Sequence, residues 1–166
     1  HFNIVSFVAL LAAVIAAVVG FAGTRLRNIQ VTLVSMAFVS LGVVFGLHGL
    51  TTPGFIMADN QVVAMTAPLS ALLTMVWLYF SSLSSDHAIV RALSKVHGYL
   101  IVSWTAVLLG VSALFLMQPA LANLLPLHSN PIKFLVAFVS LELAVMTAWN
   151  YWRSFTYTRS PLQIAI

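Results

Sequence analysis

The chain has 166 residues, of which 61% are apolar and 6% charged, against about 45–50% and about 25% in a soluble globular domain. With a mean hydropathy of +1.05, that composition excludes a water-soluble globule and reads as one integral membrane helical domain over residues 1–166. The formal charge of +4 comes from seven Lys and Arg against three Asp and Glu; the basic residues are scattered between apolar blocks, so they report topology, and nucleic acid is not an expected partner.

A helix crossing about 30 Å of hydrocarbon needs roughly 20 apolar residues, and five blocks meet that length. The predicted spans are about 4–22, 31–50, 62–83, 99–117 and 132–152. The chain opens on His1 without an initiator Met, which reads as a fragment or a processed start. The first block is as long as a span, lacks a basic leader and is followed by Arg25 and Arg27, so a retained helix is expected over a signal peptide.

The second block carries Gly42 and Gly46 in GxxxG spacing, with Ser35 and Ser40 nearby. Apolar side chains gain little from one another in lipid, so small residues mark close helix packing, here read as intramolecular. After it, Gly49, Pro53 and Gly54 read as a turn in which Thr51 or Thr52 satisfies helix-end carbonyls. In the third block Thr66, Ser70 and Thr74 share a face around Pro68, where their hydroxyls are expected to face the bundle and re-satisfy backbone groups that the proline frees. The following loop holds a short helical stretch through Lys95, with Ser85 or Asp86 as its N-cap, and is read as a connector.

The fifth block places Glu142 about ten residues in, hence near mid-membrane. An acid there is costly, and the expectation is a protonated or hydrogen-bonded carboxyl with a bundle Ser or Thr as partner, against a proton or cation site as the functional reading. Past Arg159 the chain runs Pro161–Ile166, either the first turn of a truncated sixth helix or a short interfacial tail.

Basic residues near span ends are retained on the cytoplasmic side. Arg25, Arg27, Arg91, Lys95, Arg153 and Arg159 fall on one side and only Lys133 on the other. The expected fold is therefore an all-α polytopic transmembrane bundle with its N-terminus outside and C-terminus cytoplasmic. Its partners would be the lipid bilayer and a protein partner or oligomer within it.

The chain has no cysteine, which removes disulfides, Cys-ligated zinc, iron–sulfur clusters, c-type haem and thiol catalysis. No lysine lies inside a span, and no P-loop, HExxH or intramembrane acid pair is present, so no catalytic residue is assigned. Five histidines remain. His1, His48 and His128 fall on the outer side, where they could hold a copper or zinc ion with Asp59 or Met57 completing the set. The plainer reading is of rim histidines that hydrogen-bond or face water. A b-type haem is the related alternative, confined to the outer rim because His48 and His97 sit at opposite ends of the membrane.

Three segments read together carry a resemblance: His1–Phe2 with Val5–Ser6, Arg25–Leu26–Arg27, and Leu47–Gly54. They resemble bacterial multi-span N-terminal input domains, typically six-helix, that precede nucleotide cyclase, diguanylate cyclase or histidine kinase modules. The resemblance implies a sensory or signal-input domain in a bacterial cytoplasmic membrane, coupling to a cytoplasmic module, with His1 and His48 in the input site. It departs in having no catalytic module and only five full spans. An accessory subunit of a larger membrane complex is the alternative, and a small transporter built on Glu142 ranks third.

Overall fold

The computed structural model describes residues 2–53, 60–124 and 129–159. All regular structure among them is helical: α1 (Phe2–Arg25), α2 (Ile29–Thr51), α3 (Gln61–Ser82), α4 (Ala88–Ser94), α5 (His97–Met117), a 3₁₀ turn (Pro119–Leu124) and α6 (Asn130–Arg159). Five of these, α1, α2, α3, α5 and α6, are long and apolar enough to cross a membrane, and the protein is an integral membrane helical bundle. Pro161–Ile166, the candidate start of a sixth helix, lies outside the described residues.

The helices overrun the apolar blocks because their polar flanks are caps. Asn28 accepts from the backbone N–H groups of Gln30 and Val31, and Asn60 from those of Val62 and Val63, so α2 and α3 each begin before their first long apolar run. Between α1 and α2 the chain reverses through Arg27, whose φ of 48° is left-handed. The α4 cap differs from expectation: His87, and not Ser85 or Asp86, has the helix-starting position, its Nδ1 accepting from Ile89 N–H at 3.3 Å. α4 buries Val90 completely and packs on α2, α3 and α5.

Short connections make α1 and α2, and α2 and α3, antiparallel neighbours. α2 is the hub, packed on α1, α3 and α5, while α6 packs on α3 from the other side. One end of the bundle holds α4; the opposite end holds the 3₁₀ turn.

The spans are apolar nearly all round, so small and hydroxylated residues select the packing faces. Ser35 Oγ donates to the Ala16 carbonyl at 2.8 Å, and a Cβ on Gly20 would come within 2.7 Å of that oxygen. Gly23 lies so close to α2 that a Cβ would stand 2.9 Å from the Thr32 backbone nitrogen. Gly42 also faces α1, 3.3 Å from Ala13 N and Ala9 O by the same measure, and Gly46 follows against Ala9 at 3.8 Å.

α5 is held by a polar contact inside an aromatic one. Trp104 Nε1 donates to Ser40 Oγ at 2.9 Å, while its ring meets Trp77 edge-on at 5.2 Å. α6 is held at the α4 end, where the Tyr151 and Ser81 hydroxyls lie 2.7 Å apart and Asn150 Nδ2 donates to Ser82 Oγ at 3.1 Å. Ser140 and Thr147, buried on the same face of α6, return their hydroxyls to the carbonyls of Val136 and Leu143.

Candidate functional site

His48 lies in the last turn of α2, at the end away from α4. Its Nδ1 is 3.1 Å from the Val63 carbonyl oxygen and 3.0 Å from Thr66 Oγ1, both on α3. A carbonyl only accepts, so Nδ1 carries the proton; Thr66 Oγ1 in turn donates to the same carbonyl at 3.2 Å. In the neutral ring Nε2 is then the acceptor nitrogen, the arrangement in which a backbone carbonyl orients an imidazole toward a ligand. Phe45, three residues back, stacks on the ring with planes 9° apart.

Sequence patterning singles out His48 and Thr66 separately but not their contact. Pro68, the nearest irregularity in the sequence, removes one backbone donor and frees the carbonyl four residues back, that of Ala64, whereas His48 bonds the Val63 carbonyl one residue earlier. Thr66, Ser70 and Thr74 are all buried, as their spacing suggests. Thr66 and Ser70 donate to the carbonyls of Val63 and Ala67, and Thr74 to that of Ser70.

Above His48 the α2–α3 junction is tied by threonines and asparagine. Thr51 Oγ1 donates to the Leu47 carbonyl and Thr52 Oγ1 to that of His48, both at 2.8 Å, and Asn60 Nδ2 donates to the Thr51 carbonyl at 2.9 Å. Asn60 also lines a cleft of about 540 Å³ with Pro53, Gln61, Pro119, Ala120 and Asn123. Its amide-rich wall suits a polar solute that hydrogen-bonds.

The other candidate ligands for a metal, His1, His128, Asp59 and Met57, lie outside the described residues. Among the described residues no three His, Asp or Glu side chains come together. His97 opens α5 at the α4 end, where its Nε2 and Thr32 Oγ1 share a hydrogen bond of 2.7 Å. Thr32 and His48 are separated along α2 by sixteen residues, about 24 Å at the helical rise, so these two histidines cannot share one iron.

Glu142 departs from expectation. It is exposed on α6, turned away from α3, and has no hydrogen-bond partner among the described residues. The hydroxyls nearest to it in α6, Ser140 and Thr147, occupy the opposite, buried face and satisfy their own helix's carbonyls.

No family model, curated protein or solved structure matches this chain.

Proposed function

We propose that the chain is a membrane-embedded signal-input domain of a bacterial cytoplasmic membrane, with the His48 end facing outward and the α4 end facing the cytoplasm. The observation that carries this reading is the bond from His48 on α2 to Val63 and Thr66 on α3, immediately before Pro68. A ligand or a copper or zinc ion that takes the imidazole changes how the first turns of α3 are held, and the proline is where a helix most readily changes direction. α3 then carries the change to α6 through Ser81–Tyr151 and Ser82–Asn150. α6 leads to the cytoplasmic C-terminus. The basic residues at the α4 end support the orientation, and the resemblance of the Leu47–Gly54 segment to bacterial input domains supports the sensory role. A metal at His48 would draw its remaining ligands from His1, His128 or Asp59, and a b-type haem would need one of those histidines as its second axial ligand.

The test uses the cysteine-free chain with one fluorophore at Thr156→Cys, reconstituted in bilayer discs and titrated with Zn²⁺ or Cu²⁺. A saturable change in emission that His48→Ala abolishes and Thr66→Val weakens is the expected result. An unchanged emission, or an equal response in the His48→Ala protein, would overturn the assignment of His48 as the input site. An absorption spectrum of the same preparation reads out haem.

The accessory-subunit reading is favoured by a different observation, the broad apolar face that α6 leaves uncovered. It predicts co-purification with a second protein at fixed stoichiometry.

A further inference from the structure

Glu142 sits twelve residues after Asn130 and fourteen before Thr156, the ends of the α6 span, so it is about 18 Å from one end and about 21 Å from the other. That is the middle of the hydrocarbon. The side chain is too short to reach either headgroup layer, and lipid tails offer it no donor. An ionisable group at this depth faces a partner or a water-filled cavity in almost every membrane protein. Among the described residues of one copy it does neither, because Tyr151, Ser140 and Thr147 set the opposite side of α6 against α3, with Asn150 at its edge.

The residues around it form a seam. Leu135, Phe138, Val145, Trp149 and Trp152 are all exposed, and with Glu142 they recur at alternating intervals of three and four. That is the spacing by which one helix packs along another at a shallow left-handed crossing.

We propose that this face of α6 is the contact between two copies of the chain, with the two Glu142 side chains meeting at the dimer axis. Copies inserted in one orientation are related by a twofold axis along the membrane normal, which places both Glu142 residues at the same depth without further adjustment. In its acid form a carboxyl carries one O–H donor and acceptor oxygens, so two of them satisfy each other reciprocally. No lysine, arginine or histidine of the chain lies at this depth among the described residues, so a second copy supplies the match through the carboxyl itself. This inference does not depend on the signal-input reading; a dimer is compatible with any role of the chain.

The absence of native cysteine makes the test direct. Single Phe138→Cys, Val145→Cys and Leu109→Cys proteins are oxidised in native membranes with a lipid-soluble oxidant. Leu109 is the control, equally exposed and near mid-span on α5. Disulfide-linked dimers are expected at positions 138 and 145 and not at 109. Adding Glu142→Leu to the Val145→Cys protein should weaken association roughly tenfold, about the size of the two reciprocal interhelical hydrogen bonds that it removes, and Glu142→Gln, which keeps a donor and an acceptor, should restore it. Because Glu142 is exposed among the described residues of one copy, the helix content read by circular dichroism should be the same in all three proteins. Equal cross-linking at 109 and 145, cross-links only to a protein of different mass, or undiminished dimers with Glu142→Leu would each overturn the proposal.

Discussion

The hydroxyls of Ser81 and Tyr151 lie 2.7 Å apart where α3 and α6 meet, and this bond fixes more than the junction. Tyr151 follows Glu142 by nine residues, about two and a half helical turns, which puts the two on opposite faces of α6. Docking Tyr151 on α3 therefore turns Glu142 away from the bundle. Ser81→Ala and Tyr151→Phe should each destabilise the bundle by about 0.5–1.5 kcal/mol. Their coupling in a double-mutant cycle should be about 0.6 kcal/mol, as for other interhelical hydrogen bonds in membranes. Reversible unfolding in mixed micelles measures both, and a coupling of zero would show that the hydroxyls do not hold α6.

The α1–α2 hairpin should be the least tolerant of added volume. At Gly23 an alanine Cβ would stand 2.7 Å from Thr32 Oγ1 and 2.9 Å from its backbone nitrogen. A side chain could rotate away, but backbone must shift, so Gly23→Ala should cost about 1–3 kcal/mol. At Gly110 no described residue outside the local helix backbone comes within 4 Å of the same atom. Gly110→Ala should be neutral or stabilising by up to about 1 kcal/mol through helix propensity. The comparison isolates crowding from propensity, since both positions are helical glycines in membrane spans.

The two tryptophans of the α3–α5 contact should respond unequally to the same substitution. Trp104 Nε1 donates to Ser40 Oγ, whereas Trp77 Nε1 is buried with no partner among the described residues. Trp104→Phe loses a bond worth about 1 kcal/mol. Trp77→Phe removes an unsatisfied donor, which offsets the smaller ring, so its net cost should be lower. Thermal unfolding of the two variants in one detergent gives the order, and a costlier Trp77→Phe would show that ring packing at this contact outweighs the hydrogen bond.

Much of this architecture is legible without coordinates, for a physical reason. Spanning a bilayer demands about 20 apolar residues in a row, so the five helices announce themselves by length. Their ends do not, because Asn28 and Asn60 look like loop residues until their side chains are seen to cap. The packing faces are harder still. Where a helix is apolar all round, hydrophobicity marks no side, and Gly20 and Gly23 pair with Ser35 and Thr32 through shape alone. Gly42 is readable because GxxxG is itself a shape signal. Glu142 is readable as an oddity but not as an exposed one, since its direction depends on Asn150 and Tyr151, eight and nine residues away. His48 can be placed at a helix end, but its bond to Val63 depends on how α2 and α3 are aligned, and no local pattern encodes that alignment.

The proposed orientation makes a prediction that bears on the site. Asn123, at the cleft near His48, and Ser85, before α4, are both exposed and lie at opposite ends of the bundle. With the basic residues retained in the cytoplasm, a membrane-impermeant maleimide added to intact cells should label Asn123→Cys and reach Ser85→Cys only after permeabilisation. The reverse pattern would place His48 and its cleft on the cytoplasmic side. A ligand would then have to arrive from the cell interior, and the cation-rich α4 end, with Arg25, Arg27, Arg91 and Lys95, would face outward against the retention rule. Labelling of both sites in intact cells would instead mean that the two orientations coexist. Antiparallel pairing of α6 would then become available, and Glu142, near mid-span, would still meet its counterpart at the same depth.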